Sequence, residues 1–498
     1  MIDAIIVIAY LGVMLSVGWR SRRQSPESYW VADRRYGAGT VAVSLVATVF
    51  GASSTIGIIG LGYSRGLTGA WWSLIGAAAL LPFGLILAGR VRALAVYTLP
   101  DILQRAYGNR VAVPAAVVIA LAWCGVIAAQ MTAGALLLSG VLRLDYSWVL
   151  AVVAVVFVLY TYWGGQLSVI RTDSWQFALF VAGVLVCLIL LYLASPGVGV
   201  SGGEAIPAGH FRFPVSEGFG WYELVLFYPL IVGLPYLAGP DIYSRVLCAR
   251  DSAAARKAAL TAAAAVVPIS FLLAVLGLLI RARFPEIAAE AALPTAVSEL
   301  VPAGLAGLIL AGFLAAVMSS ADTTLISAST ILSLNVFGAG GDLSGAKQLR
   351  LTRLALIGVG GAAWAIAGLE QGIISALLLG YTIFVGGVVF PTLASFLRGR
   401  LSVAPPVAMA AVIVGGATAA LGAIGEGSPL RAIVGPGEGA LLQLLGPRYP
   451  AILPVLLSLA ILILGTVLPR VFSHVRARAR DRTRFDYDHE YDHHDEHE

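Results

Sequence analysis

Ser319, Ser320, Asp322, Thr323 and Thr324 stand together in AGFLAAVMSSADTTLISAST, residues 311–330. Gly304 to Met318 before them and Leu325 to Phe337 after them carry no charge, so a bilayer-spanning helix here holds the polar cluster near its middle. A carboxylate at that depth costs about 2.5 to 3.5 kcal/mol, which directs Asp322 to a cavity, a partner or an ion path. Ser319, Asp322 and Thr323 follow at i, i+3 and i+4, so their oxygens share one helical face with Ala316. Oxygen ligands of this kind suit a hard cation such as sodium. The same hydroxyls could instead bond back to the preceding turn or to a neighbouring helix.

The elements that must position this cluster are membrane helices. With 498 residues, 59% hydrophobic and only 12% charged, and a mean hydropathy of +0.88, the chain reads as an all-α polytopic membrane protein with no soluble domain. Cys124, Cys187 and Cys248 lie far apart beside apolar segments and read as packing residues, without metal-site or disulfide spacing. The net charge of +5 comes largely from loop arginines, a topology signal with no argument for nucleic acid. Nothing suggests a nucleophile, a metal hydrolase or a nucleotide site, so no enzyme is expected.

Thirteen spans are expected, centred near residues 11, 51, 80, 125, 155, 183, 234, 267, 320, 359, 384, 413 and 460. The first has Asp3 before it and Arg20, Arg22 and Arg23 after it, the reverse of a cleavable signal peptide, so the N-terminus is expected outside and the C-terminus in the cytoplasm. Counting loops from that start, 25 of the 32 lysines and arginines fall on the cytoplasmic side.

Two spans are interrupted. VAVSLVATVFGASSTIGIIGLGY, residues 41–63, carries Gly51, Ser53, Ser54, Thr55, Gly57 and Gly60, and FYPLIVGLPYLAGPDIYSRVL, residues 227–247, carries Gly233, Pro235, Gly239 and Pro240. Such runs weaken the helical ladder. Paired interruptions five spans apart are what an inverted-repeat transporter with a midplane site leaves in sequence. Residues 1–36 then hold the first span and a cytoplasmic loop, 37–200 the first repeat, 201–400 the second, 401–472 two peripheral helices and 473–498 a disordered cytoplasmic tail. Asp173, in GGQLSVIRTDSWQ, reads as a carboxylate favouring a helix N-terminus, unless Asp322 lies across from it.

These motifs, YWVADRRYGAG, SLVATVFGASSTIG, YTLPDILQRAYG, GGQLSVIRTDSWQ, PYLAGPDIYSRVLCARD and AAVMSSADTTL, follow in an order that resembles the sodium/solute symporters from about residue 5 to 400. That family includes proline, pantothenate and sugar transporters and has the leucine-transporter fold, here a core of five plus five helices. The resemblance implies a sodium ion held by the carbonyls of Ala47, Phe50 and Ala316 and the hydroxyls of Ser319 and Ser320. Asp173, Ser319, Asp322 and Thr323 match positions of a second cation in relatives. An aspartate at 322 stands where a hydroxyl is more usual, which leaves a second sodium, a proton shared by two acids or a structural pair.

By the same resemblance, solute contacts would come from Ser53, Ser54, Trp71, Trp72, Gln130, Tyr236, Gly239 and Pro240, although Trp71 and Trp72 also read as interface anchors. Val49 and Val232 replace polar or aromatic residues of sugar and proline carriers, which implies a less polar pocket. Arg245 matches a family arginine near the cytoplasmic gate and reads equally as a positive-inside residue. The expected function is sodium-coupled import of a small organic solute, an amino acid, carboxylate or similar, across the plasma membrane by alternating access. A solute sensor of the same fold and a proton-coupled carrier are the alternatives. Ser195 to Gly220 and Glu426 to Tyr449 read as glycine-rich external loops, and the His- and Asp-rich tail from Asp481 to Glu498 reads as solvated.

Overall fold

Backbone polar groups inside a bilayer must find partners within the chain, and the described residues do so with helices, adding only two isolated bridges. The computed structural model describes residues 2–194, 206–339, 344–369, 372–397, 403–423 and 451–467. Among these, ten helices are long and apolar enough to cross a membrane, against the thirteen spans expected. The difference has a local cause at each place. Residues 53–93 run on as one helical stretch through the turn between the second and third spans, and Tyr146–Ala194 contains the fifth and sixth joined at a bend. The last expected span is the shorter helix Ala451–Val467. Side chains such as Ile5, Ile8, Leu121, Trp148 and Ile189 stand outward, as lipid-facing residues of such helices do.

The site depends on ten helices: α1 (Ile2–Arg20), α2 (Ala38–Val49), α3 (Ile58–Arg65), α4 (Trp71–Pro82), α5 (Asn109–Leu142), α6 (Tyr146–Ala194), α7 (Leu234–Ala238), α8 (Pro240–Leu247), α9 (Leu305–Ile331) and α10 (Ile373–Phe384). Of these, α9 is buried along nearly its whole length between α6 and α5. The Asp3 carboxylate of α1 accepts the Gly304 and Gly307 N–H groups at 2.7 Å each, meeting otherwise orphaned donors at the start of α9.

Both expected interruptions are present. Phe50 leaves the helical region (φ −85°, ψ 55°), and the chain resumes as a wide turn over Ser53–Gly57 before α3. Gly239 is extended (φ −62°, ψ 130°) between α7 and α8. Within α6, Gly165 takes φ 54°, and a Cβ there would lie 2.5 Å from the Tyr29 ring, so both conformation and space require glycine. The YWVADRRYGAG and GGQLSVIRTDSWQ motifs therefore meet, with Tyr29 donating to the Thr161 carbonyl at 3.1 Å.

Part of the long loop between α6 and α7 is described. Residues 206–222 pack on the elbow between α3 and α4 through Thr68 and Ser216, 2.8 Å apart, and through His210 against Gly66. Burial, and behind it the Arg281 guanidinium, hold the His210 imidazole below its ordinary range. The stretch Glu426 to Tyr449 and the tail from Asp481 to Glu498 lie outside the described residues.

Candidate functional site

The α9 cluster faces the α2 break. The Ser320 hydroxyl donates to the Thr48 carbonyl at 2.6 Å and lies 3.4 Å from the Ala47 carbonyl. Ser319 donates to Asp173 Oδ1 at 2.6 Å. Ser319 gives its proton to Asp173, which leaves its lone pairs for a cation, while Ser320 gives its proton to the α2 carbonyls, a bond that a cation between α2 and α9 would replace. Close approach is enforced by Gly51, where a Cβ would lie 2.6 Å from Ser320 Oγ and 2.8 Å from Gln130 Nε2. The Gln130 carbonyl oxygen in turn accepts the Ala52 N–H at 2.7 Å, meeting a backbone donor that the break exposes. Phe50 and Ala316 are both buried, the Phe50 ring packing on Phe180.

Asp173 does not serve a helix N-terminus. The bend at Gly165 comes eight residues earlier in α6, so Asp173 lies inside the bundle, fully buried. Its carboxylate accepts from Ser44 and Ser319 and pairs with Arg245 at 3.3 Å. Arg245 is also fully buried, so it is no loop residue biasing topology; it donates to Thr48 at 3.1 Å and to Thr323. Two of the groups matched to a second cation, Asp173 and Thr323, therefore already meet a fixed positive charge, and a third, Ser319, bonds to Asp173. Asp322 lies apart from this pair: one carboxylate oxygen accepts from Thr161 at 2.7 Å and the other has no partner among the described residues.

Beside the break is a narrow cavity with room for about one water molecule in this conformation. Gly51, Ser53, Ser54, Gln130, Tyr236 and Ser320 line it, joining the α2 break to α5, α7 and α9. Four expected solute residues, Ser53, Ser54, Gln130 and Tyr236, are thus brought together. Trp71 and Trp72 are not: Trp71 stacks on Phe213 at 5.2 Å and donates to the Pro214 carbonyl at 2.8 Å, and Trp72 packs edge-on to Tyr228 at 5.6 Å. Gly239 forms the second break without lining the cavity, and Pro240 borders a separate cleft with Tyr97, Tyr243 and Ser327.

Sequence reasoning missed Thr48, Asp241 and Tyr381, which also line the cavity, and Ser44 and Thr161, which hold the two acids. Asp241 carried a signal, being the first charge after the Gly239-Pro240 interruption. Thr161 and Tyr381 carried none, because their neighbours are remote in sequence.

Residues 29–393 match the family model of the sodium:solute symporter family. The sodium/myo-inositol cotransporter 2 of Mus musculus is 28% identical over 379 residues, 67% of this chain and 56% of that protein. Sodium/glucose cotransporter 4 of Mus musculus is 26% identical over 378 residues, with 67% and 55% covered. The chain thus spans little more than half the length of these relatives. A solved sodium-coupled sialic acid symporter in a substrate-bound outward-open state superposes with a TM-score of 0.76 at 18% identity, over 95% of this chain and 98% of that one. A nucleobase-cation-symport-1 family transporter in a closed conformation gives 0.52 at 15% identity, over 90% and 95%. These likenesses establish the fold, an all-α polytopic bundle with broken helices.

Proposed function

The chain belongs to the sodium:solute symporter family, and on that premise we propose that it is a sodium-coupled carrier importing a small organic solute by alternating access. The observation that carries the reading is the approach of Ser320 to the Ala47 and Thr48 carbonyls at the edge of the cavity, with Ser319 beside it bonded to Asp173. Sodium sits there between α2 and α9, held by Ala47, Phe50, Ala316, Ser319 and Ser320, and fixes the break that forms one cavity wall. Solute then meets a preformed wall, so each ligand raises the affinity for the other. The residues of the second cation position keep Arg245 as their positive charge, which favours one sodium per solute. One sodium driven by 100 mV (about 2.3 kcal/mol) and a tenfold gradient (about 1.4 kcal/mol) supports several-hundred-fold accumulation.

The biased distribution of arginines supports an N-terminus outside and a C-terminus in the cytoplasm. Residues 37–200 and 201–400 form the two repeats, each opening near a broken helix.

Uptake into proteoliposomes tests the function. An inward sodium gradient drives accumulation of a solute that a potassium gradient leaves outside. Binding without sodium-driven uptake identifies a sensor, and uptake driven by a proton gradient alone, abolished in Asp322→Asn, identifies a proton-coupled carrier.

A further inference from the structure

The buried carboxylate that lines the cavity has no role in the sodium reading. Asp241 is the second residue of α8 and lines the cavity opposite the α2 break. Its position is fixed from below, since a Cβ on Gly239 would lie 2.7 Å from Asp241 Oδ1, so the carboxylate folds back over the second interruption. Among the described residues no arginine, lysine or histidine lies within ion-pair distance of it, and Arg245, one turn along the same helix, is turned to Asp173. No cationic side chain among the described residues lines the cavity. The Asp241 and Ile242 N–H groups at the half-helix N-terminus face this carboxylate but do not offset its burial, and on the cavity side it lacks a counter-charge.

The remaining wall narrows the choice of solute. Two tyrosine rings, Tyr236 and Tyr381, stand near Asp241, and Val49, Val126, Ile242 and Leu377 supply apolar surface. Most polar groups are already engaged: Gln130 Oε1 by the Ala52 N–H, Thr324 by the Ser320 and Ala321 carbonyls, and Thr48 by the Ser44 carbonyl. A polyol would bury several hydroxyls with few partners, and a simple anion would meet a like charge. A compact ammonium group gains both the carboxylate and the faces of the tyrosine rings.

We propose that Asp241 is the specificity-determining residue of the cavity and selects a solute bearing a positively charged amino or quaternary ammonium group on a small, largely apolar body. This rests on the carrier reading above and narrows its solute class.

The test is thermal unfolding of the purified full chain in sodium with four probes: choline, alanine, myo-inositol and pyruvate. The proposal expects choline or alanine to raise the midpoint, with apparent affinity at least tenfold weaker in Asp241→Asn and largely kept in Asp241→Glu. Both variants are checked first for wild-type elution on size exclusion. Stabilisation by myo-inositol or pyruvate with neither ammonium compound active overturns the assignment, as does an ammonium response that Asp241→Asn leaves unchanged. No response to choline or alanine, while sodium alone stabilises the protein, overturns it too. An ammonium response that depends on Asp241 but is the same in potassium instead sinks the sodium coupling and leaves Asp241 standing.

Discussion

Arg245 on α8 meets Asp173 on α6 at 3.3 Å, with both side chains fully buried. The pair ties the second broken helix to the helix that supports the α9 cluster, and Thr48 and Thr323 extend it to α2 and α9. Removing one partner strands the other charge in the bundle. Arg245→Met is therefore expected to lose about 3–5 kcal/mol of stability in denaturant unfolding, and adding Asp173→Asn to recover a large part of it. Equal stability of Arg245→Met and wild type would show that the pair carries no net structural weight.

Gly51 allows Ser320 and Gln130 to close on the α2 break. Gly51→Ala adds a methyl where 2.6 Å is available, an overpacking expected to cost about 1–3 kcal/mol and to weaken sodium and solute binding together. Titrations of both ligands check this; unchanged sodium affinity contradicts the geometry described for the break.

Trp71 packs on the loop that carries Phe213 and Pro214 and does not line the cavity. Trp71→Phe keeps the stack on Phe213 and loses the bond to the Pro214 carbonyl, an expected loss of about 0.5–1.5 kcal/mol with solute KM unchanged. A raised KM at normal stability would return Trp71 to the solute site.

His210 gives the loop over residues 206–222 a pH dependence. Its imidazole holds protons less readily folded than unfolded, so the unfolded chain binds more protons below the ordinary value of about 6.5 and stability falls as pH drops through that range. His210→Gln should flatten the melting temperature between neutral pH and mild acid. A variant with the wild-type slope places the titrating group elsewhere.

The two interruptions were legible because glycine, proline and hydroxyl residues cannot sustain a helical ladder, and both fell where the composition placed them, at Phe50–Ala52 and Gly239. The α9 cluster was legible because five polar residues in an uncharged helix need a reason. Asp173 was not, since its setting depends on the Gly165 bend, a positive φ that a run of apolar residues conceals. Trp71 was misplaced for a similar reason: its partners, Phe213 and Pro214, come from a loop more than a hundred residues away. Arg245 read equally as a loop charge because the pairing that buries it is set by the packing of α6, α8 and α9, which no local pattern encodes.

The most direct test of the account is the melting temperature of the purified protein in sodium against potassium at equal ionic strength, for wild type and Ser320→Ala. Sodium is predicted to raise the wild-type midpoint over potassium, and the variant, lacking the hydroxyl that faces the Ala47 and Thr48 carbonyls, to lose most of that difference. Identical midpoints in the two salts, or a sodium effect untouched in Ser320→Ala, would contradict a sodium site between α2 and α9.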